Sequence, residues 1–263
     1  MEATVDIAGR RFQLTSDDDY LKSVGSEFEP DMIRLFRCFA KGTVLDIGAN
    51  IGCTALAFSG MADIVHAFEP SPSTFRLMTT NTSVVQNVQH HNFGLGEAPG
   101  SFELTFSPTN RSGGFVSNQT KASAGHTVEQ IEIRTLDDVA PTLGVDKIDF
   151  IKIDVEGFEG SVLRGAARTL ATSQPVVALE LNHWCLNAFQ RTSVPDFLDY
   201  LRGVFPRLYA VQGNTYLDLH DPNESYAVMY LHILQMKYCT LVGAFDDSQL
   251  RTFHKDYVHR LAE

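Results

Sequence analysis

TVLDIGANIGCTALAF, Thr43 to Phe58, decides how this chain folds. Thr43–Ile47 is a hydrophobic run interrupted only by Asp46, the length of one buried strand. A turn carrying glycine at 48 and 52 follows at once, and Ile51–Ser59 then reads as a helix. A continuous apolar strand, a glycine-bearing turn and a helix open a parallel sheet covered on both faces. In such sheets a ligand sits beyond the carboxyl ends of the strands, where strand order reverses. Backbone must approach that ligand closely, which Gly48 and Gly52 permit. Asn50 enters the left-handed region more readily than most residues.

Outward from this unit the alternation continues. Ile64–Phe68 is a second strand ending in Glu69-Pro70, Ser73–Val85 a helix, and Val88–Phe93 a third strand. Phe150–Val155 is another buried strand. Phe158–Leu170 has a helical apolar face, and Val176–Leu181 returns as a strand. Residues 96–135 break the rhythm. Two alternating runs, Ser101–Phe106 and Val128–Arg134, read as an antiparallel excursion with a mobile Ser/Gly/Asn loop, Thr109–Gly125, at its tip. Toward the C-terminus the pattern predicts a helix over Val194–Val204, strands at Leu208–Gln212 and Val228–Met236, and a last helix after Asp246. Residues 1–42 form an N-terminal segment whose helix, Pro30–Phe39, covers the ligand end of the sheet. Residues 43–263 form the main domain.

Composition narrows the function. With 263 residues, 44% of them hydrophobic, the chain can bury a full core without staples. A net charge of −11 and no Lys/Arg run argue against nucleic acid as a partner. No signal peptide is visible at the N-terminus and no apolar stretch has transmembrane length, so a cytoplasmic protein off the membrane is expected. Cys38, Cys53, Cys185 and Cys239 are far apart and read as reduced thiols. The sequons at Asn81, Asn110, Asn118 and Asn223 are then chance matches. Nothing speaks to oligomeric state.

The turn also discriminates between ligands. The dinucleotide fingerprint G-x-G-x-x-G, started at Gly48, finds Asn50 and Cys53 where its other glycines belong. Asp46, two residues before the turn, would repel a pyrophosphate and attract a cation. S-adenosylmethionine carries an α-ammonium and a sulfonium, and D-x-G-x-N-x-G suits it better. Glu69 ends the second strand at the spacing where an acid accepts hydrogen bonds from ribose hydroxyls.

Taken together, VLDIGANIG, AFEPSPSTFRLMTTN, RTLDD, IDFIKIDVEGFEGSVLRGA and VVALEL, in that order from Thr43 to Asn182, resemble the FkbM-type family of S-adenosylmethionine-dependent methyltransferases. The resemblance implies the class I methyltransferase fold. That is an α/β, Rossmann-like three-layer sandwich whose seven-stranded, mostly parallel sheet has an antiparallel last strand. It implies methyl transfer to a hydroxyl on a sugar, polysaccharide or polyketide-type natural product. A non-catalytic S-adenosylmethionine-binding module and a small-molecule N-methyltransferase are the alternatives. It also implies that Asp46, Gly48, Asn50 and Gly52 form the methionine-side turn and that Glu69, followed by Pro70, binds ribose. Phe93 and Gly94 lie near adenine, and Asp154 ends the fourth strand beside the methyl group. Residues 1–40 and 185–263 match none of these motifs and are where an acceptor pocket is expected.

A neutral alcohol needs a general base, so the acids after that strand matter. Asp154 is the first candidate and Glu156 the second, although Glu156 and Glu159 also read as first-turn acids of the next helix. His183, with a free pKa near neutrality, is a third. Trp184 is placed either to stack on a sugar face or to pack. His90 and His91 lack a third ligand at metal spacing. No metal is expected, although Asp154, Glu180 and Asn182 carry oxygens that a divalent ion accepts.

Overall fold

A computed structural model describes residues 1–117 and 124–262; the tip of the expected loop, with the Asn118 sequon, lies outside them. The chain opens with a hairpin, β1 (Glu2–Ile7) and β2 (Arg10–Thr15), followed by α1 (Tyr20–Val24) and α2 (Pro30–Phe36). Three strands joined by two helices come next: β3 (Thr43–Ile47), α3 (Cys53–Phe58), β4 (Ile64–Phe68), α4 (Pro72–Thr82) and β5 (Val88–His91). The excursion holds β6 (Gly94–Leu95), β7 (Gly100–Ser107), β8 (Asn110–Val116) and β9 (Thr127–Arg134). Then follow α5 (Leu136–Val139), β10 (Phe150–Ile153), α6 (Glu159–Arg164), α7 (Ala167–Ser173) and β11 (Val176–Glu180). The last third is α8 (His183–Gln190), α9 (Val194–Val204), β12 (Arg207–Gln212), β13 (Thr215–Asp218), α10 (Pro222–Gln235), β14 (Thr240–Ala244), α11 (Arg251–Asp256) and β15 (Val258–His259).

The sheet corrects the expected fold class. Among the described residues the central sheet has nine strands, not seven, in the order β15-β13-β12-β14-β11-β10-β3-β4-β5. The run β11-β10-β3-β4-β5 is parallel throughout. β14 is antiparallel to both of its neighbours, β13 is antiparallel to β12, and β15 joins β13 in parallel. The sheet is therefore mixed. One cause is local: Gln212 pairs with Thr215, so only Gly213 and Asn214 link β12 to β13. A two-residue Gly-Asn connection is a tight hairpin, and it adds a strand at the edge.

Alternate residues of each central strand feed opposite faces. Val44, Phe150, Val176 and Ala178 join one core; Leu45, Ile151, Val177 and Leu179 join the other. The first core is aromatic at its centre, with Phe58 4.9 Å from Phe36 and 5.8 Å from Phe150. All three rings are fully buried, each worth about 1.5–3 kcal/mol of transfer free energy.

A second, four-stranded sheet, β6-β9-β7-β8, stands over the strand ends. β7 and β9 pair antiparallel from Gly100↔Ile133 to Phe106↔Thr127, as their alternation predicts. β8 corrects the expected loop: Asn110–Val116 pairs with β7 instead of forming a mobile tip. Leu104, Phe106, Ile131 and Ile133 form this sheet's own small core. The expected helix over 158–170 is broken into α6 and α7, and the expected strand at 228–236 lies inside α10.

Two glycines hold the turn after β3. Gly48 has φ +80°, and a Cβ there would sit 1.9 Å from the Asp154 carbonyl oxygen. Gly52 has φ +96°, with Thr82 Cγ2 2.7 Å from such a Cβ. Backbone passes too close at Gly48 for a Cβ, and at Gly52 a side chain crowds the site and the positive φ disfavours any other residue. Asn50, φ +50°, takes the left-handed position between them.

Candidate functional site

Two cavities meet at the carboxyl ends of the central strands. The first lies between those ends and the second sheet. Gly48, Asn50, Glu69, Pro70 and Gly94 form its floor, Leu104, Phe106, Ile131 and Ile133 its roof, and Asp154 and Glu156 one end. Roof and floor are tied together: Ser71 Oγ donates to Glu129 Oε2 of β9 at 2.5 Å. Arg111 of β8 donates to Ser73 Oγ at 2.6 Å and pairs through two nitrogens with Asp17.

Glu69 is buried, and its carboxylate accepts from the Asn50 N–H at 3.0 Å and the Ser71 N–H at 2.9 Å. Burial pushes its carboxyl up to about 7 against the lowering effect of those bonds. A carboxylate has roughly four acceptor sites, so two remain for hydroxyls in the cavity. Phe93 does not line this space; it packs against Phe68 at 5.6 Å and under the Arg134 guanidinium at 4.1 Å. Gly52 starts α3 behind the turn.

Asp46 is fully buried and points away from the first cavity. Its Oδ2 accepts from Thr54 Oγ1 at 2.5 Å, and Lys152 Nζ stands 3.4 Å from its Oδ1. The same ammonium donates to the Gly48 carbonyl at 2.8 Å and lies 3.5 Å from Asp154 Oδ2. Burial alone would lower the Lys152 pKa, but Asp154 and Asp46 more than offset it and hold the ammonium protonated. Burial raises the Asp46 carboxyl, with Lys152 opposing. Lys152 thus clamps β3, its turn and β10 through one charge. Sequence reading missed it, although a lone lysine inside FIKIDV was the available signal: a buried cation must be paired.

The acids beyond β10 are crowded. Glu156, in the left-handed region at φ +53°, accepts from Cys185 Sγ at 3.1 Å. Glu159 Oε1 accepts from the Val155 and Gly157 N–H groups at 3.1 and 3.2 Å, so this acid caps its own helix start. Burial, then the Asp154 charge, pushes Glu156 up to about 7. Burial does the same for Glu159. Burial, then the charges of Asp154, Glu156 and Glu159, push the half-buried Glu180 well above the usual carboxyl range. One oxygen each from Asp154, Glu156 and Glu180 lies within 4.8 Å of the others, a set that hard cations accept. Asn182 is not part of it; its side chain accepts from the Cys185 N–H and caps α8.

His183 lines neither cavity. Its ring meets His232 edge-on at 5.1 Å, and its backbone N–H donates to His232 Nε2. Trp184 is 61% exposed and packs edge-on against Phe189 at 5.2 Å. The second cavity lies across Asp154 from the first, walled by Glu29, Met32, Lys152, Glu180, Cys239 and Thr240. Asp154, its side chain 48% exposed, lines both.

This arrangement fits S-adenosylmethionine. The apolar roof can cover a base, Glu69 keeps acceptor sites for a ribose, and the acids at the Asp154 end suit cationic groups. Comparison with known proteins agrees. The family model described as the methyltransferase FkbM domain matches residues 46–208. The hexuronic acid methyltransferase AglP of Haloferax volcanii is 29% identical over 180 residues, 67% of this chain and 72% of its own. The 2-O-methyltransferase NoeI of Sinorhizobium fredii is 26% identical over 147 residues, 50% of this chain and 60% of its own. The crystal structure of the methyltransferase FkbM from Methylobacillus flagellatus matches with a TM-score of 0.45 at 19% identity, covering 76% of this chain and 43% of that one.

Proposed function

Since the chain belongs to the FkbM methyltransferase family and is an S-adenosylmethionine-dependent methyltransferase, we propose that it methylates a hydroxyl oxygen on a sugar or glycan. The observation that carries this reading is Asp154, placed at the end of β10 where the two cavities meet. Two relatives support the acceptor class by name, one acting on a hexuronic acid and one being a 2-O-methyltransferase.

In this reading the first cavity takes the cofactor, with Glu69 on the ribose hydroxyls, Gly48 and Asn50 along the methionine side and Gly94 beside the base. The bound cofactor supplies an electrophilic methyl on a sulfonium. The chain must bring an acceptor oxygen into line with it, and holding two reactants in line supplies much of the rate. Asp154 reaches both cavities, so its carboxylate accepts the proton that the hydroxyl loses as the new C–O bond forms. A positioned base of this kind contributes roughly 10²–10⁴-fold. Glu156 supports the cationic end of the cofactor, and Asp46 acts only through Lys152. His183 faces away and takes no part. All four cysteines are free thiols, as a reducing cytoplasm would keep them.

The test separates binding from chemistry. Calorimetry should give micromolar binding of S-adenosylhomocysteine to the wild type and to Asp154→Asn, and at least about tenfold weaker binding to Glu69→Ala, a loss of about 1.4 kcal/mol. Methyl transfer from labelled cofactor to a panel of glycosides should fall by at least about 100-fold in Asp154→Asn. An Asp154→Asn enzyme with undiminished turnover would remove the base assignment. Transfer to amines but not to hydroxyls would replace O-methylation by N-methylation.

A further inference from the structure

The second cavity has a charge character that bears on the acceptor. Its acids come from three parts of the chain: Glu29 just before α2, Asp154 after β10 and Glu180 at the end of β11. Among the described residues its lining holds a single cation, Lys152, and that ammonium already serves Asp46, Asp154 and the Gly48 carbonyl, while no described arginine or histidine stands on the wall. Glu180 Oε2 is buried with no hydrogen-bond partner, an orphan that a ligand hydroxyl would satisfy. Glu29 is held in place by backbone, in the left-handed region at φ +36° with Pro30 starting α2 behind it.

We propose that this cavity is the acceptor site and that, unlike the relative named for a hexuronic acid, it selects a neutral or amine-bearing hydroxylated ring, excluding acceptors that carry a carboxylate. The inference rests on the sugar O-methyltransferase reading above. A hexose hydroxyl can donate to Glu29 and meet Glu180 without a charge being buried. Glu180, kept protonated at neutral pH by burial and by Asp154, can also donate to a ring or hydroxyl oxygen. An acceptor carboxylate would instead face Glu29 and Asp154 with no free cation to meet it, and like charges held together repel. An ammonium at the same position would be drawn in. The N-terminal segment thereby becomes part of the specificity machinery, through Glu29 and Met32.

Met32 makes the proposal measurable, because its methyl group reports on the cavity directly. Protein labelled with ¹³C at methionine methyls, its Met32 signal assigned with Met32→Leu, is saturated with S-adenosylhomocysteine. It is then titrated separately with methyl glucoside, methyl glucosaminide and methyl glucuronide. The glucoside and glucosaminide should shift the Met32 signal, and the glucuronide should do so at least about tenfold more weakly. Glu29→Gln should narrow that gap in folded protein that still binds S-adenosylhomocysteine, whereas Glu180→Gln, which replaces a carboxyl that is already neutral, should leave it in place. Equal or tighter binding of the glucuronide overturns the proposal. So does a Met32 signal silent to all three sugars in protein that binds S-adenosylhomocysteine. Failure to bind S-adenosylhomocysteine at all would strike the underlying function instead.

Discussion

Lys152 sits between Asp46 and Asp154 with its ammonium on the Gly48 carbonyl, and its side chain is only 6% exposed. Removing one member of such a set leaves a buried charge without compensation, which costs about 3–5 kcal/mol. Lys152→Met should therefore lower unfolding free energy by about that amount in urea titration. Adding Asp46→Asn to it should restore part of the loss, because the orphaned charge goes too. A double variant no more stable than Lys152→Met alone would show that the lysine acts by packing. This residue also marks the limit of sequence reading. Asp46 looked like a cofactor ligand because an acid beside a glycine turn suits a cation. Its partner was inside the chain, one position from the end of another strand, β10. The turn at Gly48 and the strand end before Glu69 were legible because both are local features; the Lys152 clamp joins Asp46 across 106 residues of sequence and has no local signature.

At the scale of elements, the misread segment was 228–236. AVMYLHIL is apolar without polar alternation, which fits a buried strand as well as a helix. The deciding signal stood upstream. Asp221 accepts hydrogen bonds from the Asn223 and Glu224 N–H groups at 2.8 and 3.0 Å, and Pro222 occupies the first helical position. An aspartate cap followed by proline is a helix start, and α10 runs from there for 14 residues. Asp221→Ala should cost about 1 kcal/mol, seen as a fall of about 2–4 °C in melting temperature. Asp221→Asn should retain most of the cap. A melt unchanged by the alanine would mean that tertiary packing alone holds α10. Strand β8 was hidden for a different reason. NRSGGFV reads as loop by composition, and only pairing with β7 makes it a strand. β-structure at such positions is set by neighbours more than by intrinsic preference.

Over the whole molecule, the sheet was legible where strands are buried on both faces and illegible where they are not. β3, β4, β10 and β11 are nearly unbroken apolar runs. β13 and β15 are short strands at one end of the sheet, and they account for the count of nine against the seven expected. The distribution of charge was legible only in part: net −11 is visible in the sequence, but the concentration of acids at the strand ends depends on the fold. That concentration predicts how binding should respond to pH. Glu69 and Glu156 on the first cavity's wall are both raised to about 7 from an ordinary 4.5. In the free enzyme each is therefore about half protonated at pH 7, and both are ionised at pH 8 and mostly neutral at pH 6. A cation entering the cavity favours their ionised forms, so it lowers these pKa values and releases protons. By linkage its affinity rises with pH through the region below the free-enzyme value. S-adenosylmethionine carries a methyl group, and with it a sulfonium charge, that S-adenosylhomocysteine lacks, and the two share every other group. Lys152 keeps its charge throughout this range and so does not contribute to the slope. The ratio of the two dissociation constants, measured by calorimetry at pH 6, 7 and 8 in equal salt, should shift in favour of S-adenosylmethionine by about three- to tenfold across the series, or roughly 0.7–1.4 kcal/mol. A ratio independent of pH would place the sulfonium away from Glu69 and Glu156. A shift that vanishes in Glu156→Gln but survives in Glu69→Gln would place it at the Asp154 end of the cavity, where transfer to the acceptor requires it to be.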